Sequence, residues 1–188
     1  MKFSGSIILI IISVFLFGCE KTENSVSTTE NSFINSTNLD SSLAFESLSI
    51  SKLIDGTIGG SIDFDTTYVD YNGKSVSISF NLSFDPNSFL GTKLITVTPN
   101  LALGSIQFSP AMKFNKSVKL NLSYQGIDFE KLGFDSNCKV DFVYVNESGK
   151  IEYILKDDVK INFKKKELST KKAQLPHFSR YVFIKKSL

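Results

Sequence analysis

From Ser75 to Phe84 the chain alternates without interruption: Val76, Ile78, Phe80, Leu82 and Phe84 take one parity, Ser77, Ser79, Asn81 and Ser83 the other. Successive side chains of an extended backbone point to opposite faces, so this stretch predicts a strand with one buried and one wetted face. Ser117 to Tyr124 repeats the pattern, with Val118, Leu120, Leu122 and Tyr124 inward and Lys119, Asn121 and Ser123 outward. Cys138 to Val145 does so again through Val140, Phe142 and Tyr144. From Leu48 onward, Asp55-Gly56, Asn72-Gly73, Asp85-Pro86 and Asn146 to Gly149 separate such runs, each supplying residues that tolerate tight reversals. No window carries a long helical period, and Gly126 to Leu132, anchored by Ile127 and Leu132, is expected to hold a turn or two at most. The predicted fold is all-β: a two-sheet antiparallel β-sandwich of about nine to eleven short strands, forming a single domain over residues 48–188.

Ahead of this domain the pattern is different. Ile7 to Phe17 is an eleven-residue apolar run preceded by Lys2 and followed by Gly18-Cys19. A bilayer span needs about 20 apolar residues, so the run is too short for a permanent helix and fits the core of a secretory signal. Leu16-Phe17-Gly18-Cys19 closes it in a lipobox-like sequence, which predicts a signal peptide over residues 1–18 and lipid on Cys19. Two or three acyl chains there hold a protein stably at a membrane, whereas one binds only marginally. The expected location is the bacterial cell envelope, facing the periplasm or the exterior. Glu20 to Ser47 is rich in Ser, Thr and Asn, with apolar residues at no fixed period, and reads as a tether; Leu43 to Ser47 is a candidate start of the first strand. As a flexible coil it has a reach of about 30 Å.

Charge narrows the partners. The 21 basic groups fall to 20 when Lys2 leaves with the leader, against 19 acidic ones, and the two signs are interspersed. Phosphate backbones call for a concentrated basic patch, so nucleic acid is not an expected partner. Lys164 to Lys166 and Lys171-Lys172 are short runs that read as solvated turns. With Cys19 assigned to lipid, Cys138 has no partner for a disulfide and is expected to be a buried structural thiol. In the absence of tryptophan, 17 phenylalanines supply most of the aromatic core.

From about Ile54 to Ile184 the chain resembles the β-sandwich domain shared by zonula occludens proteins, netrin receptors of the uncoordinated-five type and ankyrins, which also occurs in bacterial envelope proteins. Four places carry the likeness: Ile58-Gly59-Gly60; Phe84-Asp85-Pro86-Asn87-Ser88-Phe89 with Leu94 to Val97; Ser109-Pro110 with Phe114 to Leu122; and Pro176-His177-Phe178-Ser179-Arg180-Tyr181. Asn87 and Ser88 depart from the family's Pro-Gly-Ala turn, and Ser117 stands where a proline is common. The resemblance implies a sandwich used for protein contacts.

Chemistry concentrates in the last of these segments, where the only histidine, His177, lies three residues from the only arginine, Arg180. Some members of the resembling family cut themselves between Phe and Ser of a His-Phe-Ser sequence. In this chain such a step would use His177 as general base and Ser179 as nucleophile on the Phe178 carbonyl. The preferred reading is that Phe178, Tyr181 and Phe183 pack the closing strand while His177 and Ser179 serve backbone groups. An apposed pair of side chains without an oxyanion hole is inert. Asp63, Asp65 and Asp70 are a weaker candidate for calcium. Their spacing is not that of an EF-hand, and Asp63 and Asp65 alternate with Ile62 and Phe64 as a wetted strand face does, so no metal is assigned. No phosphate loop or dinucleotide fingerprint is present, and no cofactor is implied. The leading expectation is a non-enzymatic interaction module for an envelope protein or glycan, with self-cleavage at Phe178-Ser179 as the alternative. Exposed aromatics such as Tyr68 and Tyr71, beside the Asn72-Gly73 turn, would serve carbohydrate.

Overall fold

The computed structural model describes residues 48–69, 73–146 and 148–186. The leader, Cys19, the tether with Leu43 to Ser47, and Asp70, Tyr71 and Asn72 lie outside the described residues. Nine antiparallel strands follow one another: β1 (Ile50–Asp55), β2 (Gly60–Val69), β3 (Ser75–Phe84), β4 (Thr92–Asn100), β5 (Ser105–Gln125), β6 (Val140–Val145), β7 (Ile151–Tyr153), β8 (Asp158–Asn162) and β9 (Glu167–Lys185). Gly126 to Leu132 forms turns, with the Leu132 N–H donating to the Asp128 carbonyl, and Ile127 and Phe129 plug the core. The chain is an all-β sandwich.

Seven strands are short and two are long. β5 has 21 residues and β9 has 19, and together they belong to both layers. In the first layer the order is β2, β3, the second half of β5, the first half of β9, and β8. In the second it is β1, β4, the first half of β5, the second half of β9, β6 and β7. The two long strands cross between layers where their pairing slips, between Gln107 and Val118 of β5 and around Pro176 of β9. A strand changes sheets at such bulges and bends because they re-aim the backbone.

Between the layers lies an aromatic core. Phe178, at the crossing of β9, stacks on Phe108 at 4.9 Å and meets Phe114 edge-on at 4.6 Å. Tyr124 of the first layer reaches the second: its ring meets Phe183 at 6.2 Å, and its hydroxyl donates to the Ser105 carbonyl at 2.6 Å. Full burial raises the Tyr124 hydroxyl's pKa well above the usual phenol value, so it stays protonated and keeps the proton it donates to Ser105.

The early double glycine has a physical reason. Gly59 has φ +85, and a Cβ there would lie 2.5 Å from the Phe84 carbonyl oxygen. On the facing loop Asn87 adopts φ 65, which asparagine tolerates, and its N–H donates to the Thr57 carbonyl. Ser88 is fully buried, with its hydroxyl on the Asp85 carbonyl at 2.5 Å. Gly59→Ala is expected to cost more than 1 kcal/mol through strain at this φ and the clash with Phe84; a denaturant midpoint equal to wild type would contradict it. Cys138 is half-buried and packs on the core just ahead of β6. It is expected to label slowly with a thiol reagent in the native protein and rapidly in urea.

Candidate functional site: the outer face of the first layer

Every outward position of the central first-layer strands is polar. The register places Asp63 opposite Asn81 and Asn81 opposite Asn121. A second row runs Asp65, Ser79, Ser123, Ser169 and Lys160, and a third Thr67, Ser77, Gln125, Glu167 and Asn162. An open groove of about 750 Å³ lies over the middle of this face, walled by Asp63, Asp65, Asn81, Asn121, Glu167 and Lys171.

The Asp63 row is held by its own hydrogen bonds. The Lys172 N–H donates to Asn121 Oδ1 at 3.0 Å, Asn121 Nδ2 to Asn81 Oδ1 at 3.5 Å, and Asn81 Nδ2 to Asp63 Oδ1 at 2.5 Å. The Ser61 hydroxyl closes the line on Asp63 Oδ2 at 2.6 Å. Lys172 has φ 48 and sits in the bulge where two β9 residues face one on β5, so Asn121 satisfies an N–H that the ladder leaves over. These donors hold the Asp63 carboxyl below its usual range, the Ser61 hydroxyl contributing most and Asn81 next. The neighbouring row is different. Ser123 makes a long contact to Glu167 at 3.4 Å, while Asp65, Ser79 and Ser169 have no side-chain hydrogen bond among the described residues.

Asp63 and Asp65 therefore belong to this face. No group of three His, Cys, Asp or Glu side chains close enough to share a metal occurs among the described residues, and Asp70 lies outside them. Tyr68 corrects an expectation. It pairs with Val76 on the inward parity of β2 and packs against the core, so it is not an exposed platform for sugar; Tyr71 lies outside the described residues.

The opposite face, on the second layer, is apolar toward its β7 edge. Val143, Val145, Val182, Ile151 and Tyr153 share it with Arg180, and Tyr153 is 71% exposed.

The His177-Phe178-Ser179 segment lies inside β9. Phe178 pairs with Met112, and its ring is buried. His177 is half-buried with the Tyr144 ring edge-on at 4.2 Å, and its carbonyl accepts the Tyr181 hydroxyl at 2.6 Å. Among the described residues its imidazole makes no hydrogen bond to Ser179. Burial lowers the His177 pKa from its ordinary 6.5; Lys113 pushes the same way and Glu152 opposes. The unfolded chain thus takes up this proton first as the pH falls, so stability drops as the pH goes below about 6.5 toward the lower folded value. Denaturant midpoints at neutral and mildly acidic pH should differ in that sense, and His177→Gln should flatten the difference; an unchanged slope in the variant would refute it.

Period-two alternation marks Asp63 and Asp65 as wetted and Ser79, Asn81 and Asn121 as outward, but nothing local joins them in one groove. The register that joins them is a tertiary property, since Asn81 and Asn121 are 40 residues apart. No family model, no characterised protein and no solved structure matches the chain.

Proposed function

We propose that this chain is a non-enzymatic recognition module of the bacterial cell envelope, tethered to a membrane by lipid on Cys19, with its ligand seated on the polar outer face of the first layer. One observation carries the reading of the face: a groove over Phe64, Phe80 and Leu122 that is edged by short hydrogen-bonding side chains, part of them fixed by mutual bonds and part left free. Fixed polar groups bind without first having to be ordered, which lowers the entropic cost of association. The leader motif supports the tether, and the Ser/Thr/Asn-rich segment that follows supplies the reach.

The test has two arms. Full-length protein is expected in the membrane fraction and Cys19→Ala protein in the soluble one. Isolated envelope material should retain the soluble form, and Ser79→Lys, which fills the groove floor with a long cation, should abolish retention. Equal retention of Ser79→Lys would move the binding site elsewhere. Burial lowers the His177 pKa and so favours the neutral imidazole that a general base requires, and this alone favours self-cleavage as a second reading. The denatured intact mass separates the two: one full-length species is expected, whereas loss of Ser179 to Leu188 in wild type and not in Ser179→Ala would establish the cutting reaction.

A further inference from the structure

We infer that the groove on the first layer binds a linear, hydroxyl-rich glycan lying across the strands, an assignment that rests on the recognition reading above. Two contrasts within the molecule lead to this class of ligand. Protein-contact cores are enriched in Tyr, Trp and Arg and depleted of Ser, Lys, Asp and Glu. The central rows of the first layer contain none of the former and are built from the latter, whereas Tyr153 and Arg180 both lie on the opposite face. Phosphate polymers are opposed as well, because Asp63, Asp65 and Glu167 wall the groove against a single lysine, Lys171.

The groove is built for many weak, directional contacts. Asp65, Ser79, Ser123 and Ser169 stand on four successive strands, and their side chains recur at the strand spacing of about 4.8 Å. That step is close to the length of one sugar unit in an extended chain, so a glycan crossing β2, β3, β5 and β9 offers one ring to each strand. Hydroxyls both donate and accept, and so do those of Ser79 and Ser169, while Asp65 accepts only. Any orientation of a sugar hydroxyl therefore finds a partner along the row. Beside it, the bonded line from Ser61 through Asp63, Asn81 and Asn121 to the Lys172 N–H holds the adjacent wall in place. The outward rows themselves carry no aromatic ring, so hydrogen bonds from these rows supply the discrimination, above a groove that Phe64, Phe80 and Leu122 also line.

The experiment uses the soluble Cys19→Ala chain with envelope preparations treated separately with protease or periodate, and a panel of linear (1→4)-linked gluco-, xylo- and manno-oligosaccharides. Retention is expected to survive protease and to be lost after periodate, which cleaves vicinal diols. At least one oligosaccharide should bind, with Ser79→Ala and Ser169→Ala each weakening it about five- to tenfold, the effect of one lost hydrogen bond. Both serines are unpaired, so these variants should melt with wild type. Retention destroyed by protease and indifferent to periodate would overturn the glycan assignment and leave a protein-recognition role standing. No retention on any preparation would overturn the recognition reading itself.

Discussion

Phe178→Ala is expected to destabilise the fold by about 3–5 kcal/mol, the range for removing a large aromatic from a closed core. The ring is 2% exposed and touches both layers, stacked on Phe108 and edge-on to Phe114 and Phe84. Its strand is pinned there by pairing to β5 and β6, so neighbours have little freedom to fill the space. Set against a whole-domain stability of about 5–15 kcal/mol, such a loss is severe. Urea unfolding followed by far-ultraviolet circular dichroism measures it, and a loss under 1 kcal/mol would mean that the sandwich closes around a different core.

Lys156→Met is expected to cost about 3–5 kcal/mol by stranding the Asp141 carboxylate. The two side chains, 13% and 11% exposed, meet at 2.5 Å, and the Lys156 ammonium also donates to the carbonyls of Phe142 and Ile154. Asp141 Oδ1 in addition accepts the Phe142 N–H at 2.7 Å. The double variant Asp141→Asn with Lys156→Met keeps that acceptor and removes both charges, so it should recover most of the loss. A double-mutant cycle reads the coupling; additive losses would show that the pair is solvated and of little consequence. The exposed pairs Lys172–Asp157 and Lys160–Asp158 serve as controls, where charge removal should leave the denaturant midpoint close to wild type because solvent screens them.

Strand β3 was legible residue by residue, because perfect alternation leaves one register for a strand that is buried on a single face. The inward side of β5 was legible only over Ser117 to Tyr124. Ahead of it the slips between Gln107 and Val118 break the parity, and a strand running through both layers looks like two short ones. Nearness to the Asn72-Gly73 turn suggests an exposed Tyr68, and the alternation of β2 says otherwise. Its parity with Ile62 and Phe64, opposite Asp63 and Asp65, already directed it inward. Asn87 and Ser88 looked like losses from a family turn, yet one fits its positive φ and the other buries its hydroxyl on a carbonyl. The burial of Asp141 had no local signal at all, since it depends on Lys156 arriving from 15 residues away. The groove was half legible: its polar parity could be read strand by strand, but which strands lie side by side could not.

The most direct measurement is a map of backbone amide shifts on protein expressed from residue 20, titrated with solubilised envelope polysaccharide. The account predicts changes centred on Asp65, Ser79, Ser123 and Ser169, fading toward β8. Changes centred on Tyr153 and Arg180, with the first-layer rows silent, would contradict it.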